Sequence, residues 1–247
     1  MVVATGFFDG VHLGHRLVLE RLVAASRSRG EKSAVVTFWP HPRNVLQDDA
    51  RNLRLLTSLS EKKELIENLG VDKVEVLPFT RAFSRLTTRE YLEEYVAGRF
   101  GGTAILLGYD NRIGSDLLGP DKIKEVAEGL GLDVIMTDCL SVPGGVVVSS
   151  TKIREAISSG DVVSASKMLG YKYSLTGVVV AGNRIGRTIG FPTARLSKMR
   201  WASAGICTES SPSSRAPSEK KLQLVPSPTT LKPCSSANFA ISQGFSV

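Results

Sequence analysis

Two histidines near the start of the chain, His12 and His15, lie in the stretch Gly6-Phe7-Phe8-Asp9-Gly10-Val11-His12-Leu13-Gly14-His15. This stretch follows a short apolar run and precedes a helical pattern, and an open α/β sheet binds ligands at that place. At this spacing both imidazoles can face one oxyanion and stabilise negative charge that develops on a phosphoryl group. Two surface histidines in a turn are the alternative, but the glycine frame after a strand favours chemistry.

The glycines of this stretch allow tight turns and let the backbone approach a phosphate closely. We therefore assign Gly6, Phe7, Asp9 and Gly14 to ATP or phosphate binding. For Asp9 we favour a role in organising the turn over a contact with substrate, because Asp side chains commonly hydrogen-bond the backbone of turns.

A second polar segment, Ser149-Ser150-Thr151, comes directly before a predicted helix, and Arg154 follows one turn later. Hydroxyls and free N–H groups at the positive end of a helix suit the β- and γ-phosphates of ATP. Arg154 adds a charge-assisted contact. An ordinary Ser/Thr helix cap explains the same residues, but phosphate binding is favoured beside the histidine motif.

Two further residues are weaker candidates for ligand binding. His41 lies between Pro40 and Pro42, which restrict the loop. Asp110 ends a predicted buried strand and could hold a ligand hydroxyl. A rigid turn with a solvent-facing histidine and an ordinary turn aspartate are the alternatives.

Strand-like and helix-like patterns alternate through the first part of the chain. The predicted strands are residues 2–5, 33–38, 71–77, 103–107 and 133–137, and the predicted helices between them are 16–29, 60–69, 88–100 and 121–130. This alternation predicts an α/β fold with a parallel sheet and helices on both faces. Two short helices over 151–158 and 162–169 and a strand over 174–181 follow, and we place a domain boundary near Tyr171.

Composition narrows the class of protein. A hydrophobic fraction of 42% and a charged fraction of 22% exclude wholesale disorder. The net charge of +7 suits a protein that handles anions, but no dense Lys/Arg block or aromatic-basic surface points to nucleic acid. No apolar run approaches the roughly 20 residues of a membrane span. Three scattered cysteines without metal spacing, and the absence of a leader pattern, predict a cytoplasmic protein.

Four segments, in order, resemble the motifs of one family. FDGVHLGH at 8–15 resembles an extended HxGH signature, and TFWPHPR at 37–43 resembles a TFxPHPR loop. GYDNRIG at 108–114 resembles a GxDFRFG segment, with Asn111 and Ile113 where two phenylalanines are usual, and VSSTKIR at 148–154 resembles ISSTxIR. Together they resemble the adenylyltransferase half of the bacterial bifunctional riboflavin kinase/FAD synthetase, over roughly four-fifths of the chain.

This resemblance implies a Rossmann-like nucleotidyltransferase domain over residues 1–170 and an FMN adenylyltransferase activity. Mg²⁺ would accompany ATP, and ATP and FMN would be the partners, with no nucleic acid or membrane. The resemblance implies that His12 and His15 stabilise charge at the α-phosphate. It implies that pyrophosphate is held by Ser150, Thr151 and Arg154. His41 and Asp110 would lie on the nucleotide or flavin side.

Residues 177–196 resemble the opening of the riboflavin kinase module, a small β-barrel. Gly182, Gly186 and Arg187 suit a loop that approaches a phosphate. Thr193 matches the threonine of the family's PTAN motif, and it would contact a metal only if the kinase site forms. A plain β-turn with glycine punctuation is the alternative.

The resemblance weakens at Arg195, which replaces the PTAN asparagine and cannot ligate a cation because it has no acceptor. It ends beyond Leu196, and the residues from Trp201 onward contain eleven Ser, five Pro and no Asp, which indicates loop or disorder. We expect residues 171–200 to begin an incomplete barrel and 201–247 to form a tail, through a frame shift or genuine disorder. Riboflavin kinase activity is then lost.

Two other functions stay open. The HxGH frame also serves other adenylyl- and cytidylyltransferases, which a substrate panel would separate. The chain could instead be a non-catalytic nucleotide- or flavin-binding remnant, and tight ATP binding without pyrophosphate release would favour that interpretation.

Overall fold

The structure is a computed structural model, and it describes residues 1–46, 53–108, 112–137, 148–180, 195–196 and 219–223. The described residues fall into two units, the first ending at Ser150 and the second beginning at Thr151. Among them, no helix is long and apolar enough to cross a membrane.

The first unit contains a five-stranded sheet in which every neighbouring pair is parallel. Its strands are β1 (Val2–Thr5), β2 (Ser33–Trp39), β3 (Lys73–Pro78), β4 (Ala104–Leu107) and β5 (Asp133–Met136). The spatial order β3-β2-β1-β4-β5 confirms the predicted α/β fold. The order reverses between β1 and β4, and in open α/β sheets ligands bind outside the carboxyl ends of the strands at such a point.

Helical segments connect the strands of the first unit. They are α1 (Leu13–Ser28), α2 (Pro42–Leu46), α3 (Leu59–Glu67), α4 (Thr88–Tyr91) and α5 (Pro120–Gly129), with 3₁₀ turns at Asp9–Val11 and Phe83–Arg85 and a π-helix at Leu92–Arg99. The helix predicted over 88–100 is therefore a short α-helix that continues as a π-helix.

Helices cover both faces of the sheet, as predicted. Side chains alternate across a strand, so Val3 and Ile105 pack in one core cluster with residues of the π-helix and α5. Val2 and Ala4 pack in a second cluster with residues of α1 and α3. Because both faces are buried, β4 is apolar throughout and β1 is apolar up to its last residue, Thr5, so neither strand shows polar alternation.

Helices α1 and α3 are among those that begin earlier than their sequence patterns predict. Helix α1 begins at Leu13, because the Nδ1 atom of His12 accepts a hydrogen bond from the backbone N–H of His15 at 3.3 Å. Capping rules look for Ser, Thr, Asp or Asn at that position, so a histidine cap is missed. Helix α3 is capped by Ser58, which forms a capping box with Glu61.

The second unit begins within helix α6 (Ser150–Ser158), which is followed by α7 (Val162–Leu169). Three antiparallel strands follow, β6 (Ser174–Val180), β7 (Arg195–Leu196) and β8 (Glu219–Gln223), in the order β7-β6-β8. We expected loop or disorder over 201–247, but β8 forms within this range. Backbone hydrogen bonds to β6 order this strand, and side-chain periodicity does not reveal such pairing. Gly182, Gly186, Arg187 and Thr193 lie outside the described residues.

The loop that ends the GYDNRIG segment generates a stability prediction. Gly114 has a φ of +81°, and a Cβ there would lie 2.2 Å from the backbone nitrogen of Thr88. That nitrogen donates to the Asp116 carboxylate at 3.1 Å. We expect Gly114→Ala to lower the free energy of unfolding by about 2–4 kcal/mol in urea denaturation.

Gly129→Ala is the matched control, because Gly129 ends α5 and a Cβ there would meet nothing within 4 Å. This variant should be unchanged or more stable by up to about 1 kcal/mol. Equal stabilities for the two variants would contradict a structural requirement for glycine at position 114.

Candidate functional site

The turn that follows β1 adopts backbone conformations that most side chains avoid. Phe8, Gly10 and Val11 have φ angles of 52°, 77° and 35°. Only Gly10 adopts such a conformation without steric cost, and a β-branched residue such as Val11 is a clear outlier. Strain of this kind persists only where the surroundings impose it, and it gathers at functional sites.

Asp9 anchors this turn from within. Its side chain is 4% exposed, and its Oδ1 atom accepts hydrogen bonds from the backbone N–H groups of Leu56 at 2.9 Å and Thr57 at 3.3 Å. The N–H of Gly10 in turn donates to Thr57 Oγ1 at 3.2 Å. These contacts agree with a role for Asp9 in organising the turn, and a contact with substrate stays a prediction.

Two glycines of the motif make room for aromatic rings. A Cβ at Gly6 would lie 2.8 Å from the ring of Phe8, and a Cβ at Gly14 would lie 3.3 Å from the imidazole of His12. The contacts therefore explain both glycines by packing within the turn. The close approach to a phosphate that we predicted for them stays a prediction.

The turn brings the two histidines of the motif together. The rings of His12 and His15 stack with centroids 3.6 Å apart and an interplanar angle of 16°. Because Nδ1 of His12 accepts the cap hydrogen bond, its Nε2 carries the proton in the neutral ring. The Nδ1 atom of His15 is buried and has no hydrogen-bond partner among the residues that the structure describes, so a polar group in this site is left for a ligand to satisfy.

The surroundings of His15 keep its imidazole neutral at pH 7. Burial lowers the pKa of His15 well below its ordinary value, and the nearby charges of His12 and Lys62 lower it further. These surroundings favour a neutral, hydrogen-bonding imidazole over a protonated one at His15. It can stabilise an oxyanion by donating a hydrogen bond.

A buried lysine lies beneath the same turn. Lys62 on α3 is 2% exposed, and its Nζ donates to the Phe7 carbonyl at 3.1 Å and to Thr37 Oγ1 at 3.0 Å. Our sequence reasoning missed Lys62. The available signal was its spacing, because it lies four residues before the fully buried Ile66 and therefore on the apolar face of α3.

The loop after β2 packs against the turn through aromatic rings. The ring of His41 meets the ring of Phe7 edge-on, with centroids 3.9 Å apart. Its Nδ1 accepts a hydrogen bond from the backbone N–H of Arg43 at 3.1 Å. His41 is thus placed beside the motif, whereas Asp110 lies outside the described residues.

One hydrogen bond joins two motifs that are far apart in sequence. Ser150 Oγ donates to the Asp9 carbonyl at 3.1 Å, across 141 residues of sequence. Ser149 directly precedes it, and Thr151 and Arg154 follow on α6. Thr151 is exposed and Arg154 is partly buried. Among the described residues, no group of three or more His, Cys, Asp or Glu side chains could hold a metal ion.

This arrangement defines a class of protein. A parallel sheet of order 3-2-1-4-5, with a paired-histidine turn after its first strand, is a Rossmann-like α/β architecture with a candidate ligand site at its switch point. Residues 1–152 match the family model for FAD synthetase, so the chain belongs to the FAD synthetase family. Residues 169–208 match the riboflavin kinase family, and this match extends past Leu196, where we placed the end of the resemblance.

Curated relatives carry both activities in their names. The chain is 36% identical over 197 residues to the bifunctional riboflavin kinase/FMN adenylyltransferase of Listeria monocytogenes, covering 79% of this chain and 62% of the relative. It is 34% identical over 204 residues to the protein of the same name from Escherichia coli K12, covering 82% and 64%. The chain therefore spans less than two thirds of the length of these relatives.

A solved structure shares the fold. The crystal structure titled macrolide-efflux protein from Streptococcus pneumoniae aligns with a TM-score of 0.72 and 32% sequence identity. The alignment covers 79% of this chain and 63% of that one.

The environment of His15 yields a pH prediction. Its imidazole C–H resonances should show no titration near pH 6.5 in the folded protein, because burial holds its pKa lower. In His12→Ala the His15 pKa should rise towards its ordinary value, because one source of repulsion is removed. Nuclear magnetic resonance at successive pH values measures both, and the urea-unfolded chain, which should titrate near 6.5, is the control.

The same shift has a consequence for stability. The unfolded chain binds a proton at His15 at a higher pH than the folded chain does, so the free energy of unfolding should fall as the pH drops below about 6.5. A His15 resonance that titrates at its ordinary pKa in the folded protein would contradict a neutral, desolvated imidazole.

Proposed function

We propose that this chain is an FMN adenylyltransferase, which transfers AMP from Mg-ATP to FMN and releases pyrophosphate. The observation that carries the proposal is the hydrogen bond between Ser150 and the Asp9 carbonyl, because it joins the hydroxyl-rich segment to the histidine turn. A site for the outgoing phosphates would then lie beside a site for the reacting phosphate. The match to the FAD synthetase family over residues 1–152 supports the same reaction.

In this reaction an oxygen of the FMN phosphate attacks the α-phosphorus of ATP in line. The new P–O bond forms as the bond between the α-phosphorus and the bridging oxygen breaks, and pyrophosphate leaves with that electron pair. No covalent enzyme intermediate is needed, because positioning and charge stabilisation account for most of the catalysis of such transfers. His12 and His15 would donate hydrogen bonds to the α-phosphate as charge develops on it.

The segment around the start of α6 would hold the leaving group. Ser150 and Thr151 supply hydroxyls, and Arg154 supplies a charge-assisted contact with the pyrophosphate. Mg²⁺ would enter with ATP and lower the charge of its phosphates. His41, which packs on Phe7, and Asp110 would lie on the nucleotide or flavin side.

We further propose that the activity belongs to a domain over residues 1–170 and that the protein acts in the cytoplasm, without nucleic acid or membrane as partners. Another adenylyl- or cytidylyltransferase activity, or a non-catalytic nucleotide-binding remnant, remains the competing proposal. These alternatives are separated by product analysis, because only the proposed reaction converts FMN and ATP into FAD.

His12→Ala tests the proposal directly. The unmodified protein should form FAD from FMN and Mg-ATP, and the variant should be slower by about 10²–10³, because it lacks one donor to the developing charge. Product formation is followed by chromatography, with Asp121→Asn, an exposed change on α5, as the matched control.

An unchanged rate in His12→Ala would remove His12 from the mechanism. A folded sample that binds ATP but forms no FAD would favour the remnant.

We also propose that riboflavin kinase activity is lost. Arg195, at the position of the PTAN asparagine, begins β7 opposite Val180, and arginine offers no acceptor to a magnesium ion. The purified chain should therefore form no FMN from riboflavin and Mg-ATP. Formation of FAD from FMN and Mg-ATP by the same sample is the positive control. Restoring the family residue with Arg195→Asn tests whether this single position accounts for the loss. Detectable FMN from the unmodified chain would contradict the proposed loss of kinase activity.

A further inference from the structure

Lys62 is a charged side chain in an interior position. Lysine is almost never fully buried unless it is paired, yet Lys62 is 2% exposed while its neighbour Lys63 is exposed to solvent. Burying an ammonium group is costly in free energy unless it is paired and hydrogen-bonded. The contacts of Lys62 therefore indicate what it does.

The three donors of the ammonium group have partners within the protein. Two go to the Phe7 carbonyl and to Thr37 Oγ1, at 3.1 Å and 3.0 Å. The third can meet the ring of Phe7, whose centroid lies 4.2 Å from Nζ. Thr37 Oγ1 also donates to the Phe7 carbonyl at 3.1 Å. A fully used ammonium group supports the site through its neighbours and does not itself contact a substrate.

These neighbours are the structural base of the histidine turn. Phe7 is the second residue after β1, and Thr37 lies near the end of β2, so Lys62 connects α3 to the carboxyl ends of two adjacent strands. The Phe7 ring carries the contact with His41. Loss of the ammonium group would free both the turn and this loop.

Lys62 also places a fixed positive charge behind the turn. Asp9 faces it from the turn, His15 faces it from α1, and His12 is stacked on His15. Since His15 is neutral at pH 7, the lysine supplies charge that this histidine does not. A triphosphate bound at the turn would be attracted by that charge.

We propose that Lys62 is a positioning residue for ATP binding and adenylyl transfer. Its ammonium group locks the Phe7 carbonyl against Thr37 and supplies a fixed positive charge behind the histidine turn. The inference rests on the proposed function for the transfer step, but the effect on ATP binding can be measured without it.

The charge of Lys62 should give ATP binding a dependence on alkaline pH. Burial lowers the pKa of Lys62 to about 8, although Asp9 opposes the shift. The ammonium group is therefore charged below that pH and loses its proton above it. Affinity for ATP should fall as the pH rises from 7 to 9.

The experiment compares the full chain with Lys62→Met, Lys62→Arg and Lys63→Met. Mg-ATP affinity is measured by calorimetry at pH 7 and pH 9, and FAD formation is measured in parallel. Lys62→Met removes the charge and should weaken binding about tenfold at pH 7, with little further loss at pH 9. Lys62→Arg keeps its charge throughout this range, so its affinity should be independent of pH.

Lys63→Met, on the exposed face of the same helix, should behave like the unmodified chain. If Lys62→Met and Lys63→Met bind ATP equally well with the same pH dependence, the inference is overturned. If Lys62→Met does not fold, Lys62→Arg provides the test. If the ATP affinity of Lys62→Arg falls between pH 7 and pH 9 as much as that of the unmodified chain, the inference is overturned. If the variants bind ATP as expected but the unmodified chain forms no FAD, only the proposed function is overturned and the inference on ATP binding stands.

Discussion

The carboxylate of Asp9 accepts hydrogen bonds from the backbone of Leu56 and Thr57, and these bonds hold a turn in a shape that its own residues resist. Phe8 and Val11 have positive φ angles, which cost energy in any residue with a Cβ. The cost is offset because the same turn positions His12 as the cap of α1 and stacks His15 on it. Every proposed catalytic contact depends on this turn, which a distant segment of the chain holds in place.

The electrostatics of the site divide two tasks between different residues. A histidine that donates a hydrogen bond must keep its proton at a defined nitrogen, and a neutral ring does so across physiological pH. Attraction of a polyanion needs a lasting charge, which a lysine provides up to a higher pH. The structure buries Lys62 near neutral His15, and the charge of Lys62 helps to lower the pKa of that histidine. A fold optimised for stability alone would place an apolar side chain at position 62.

Patterns that are local in sequence predicted the fold well. Apolar strands alternating with helices led to the parallel sheet, because periodicity records which faces are buried. The histidine motif was identifiable for the same reason, since its members lie within four residues. The anchors of Asp9 and the role of Lys62 could not be found in this way, because they join residues about 50 positions apart. The sequence also could not predict β8, whose order comes from pairing with β6.

The two family matches have different consequences for the chemistry. In the first unit, one hydrogen bond joins the histidine turn to Ser150, so two segments of the proposed adenylyl-transfer site are physically connected. In the second, the position that should offer an oxygen or amide acceptor to magnesium is Arg195, whose side chain can only donate. If the chain adenylylates FMN without making it, as proposed, it depends on a separate supply of FMN. The reaction that provides this substrate would then be an ATP-dependent phosphorylation of the flavin's ribityl hydroxyl, carried out by another protein.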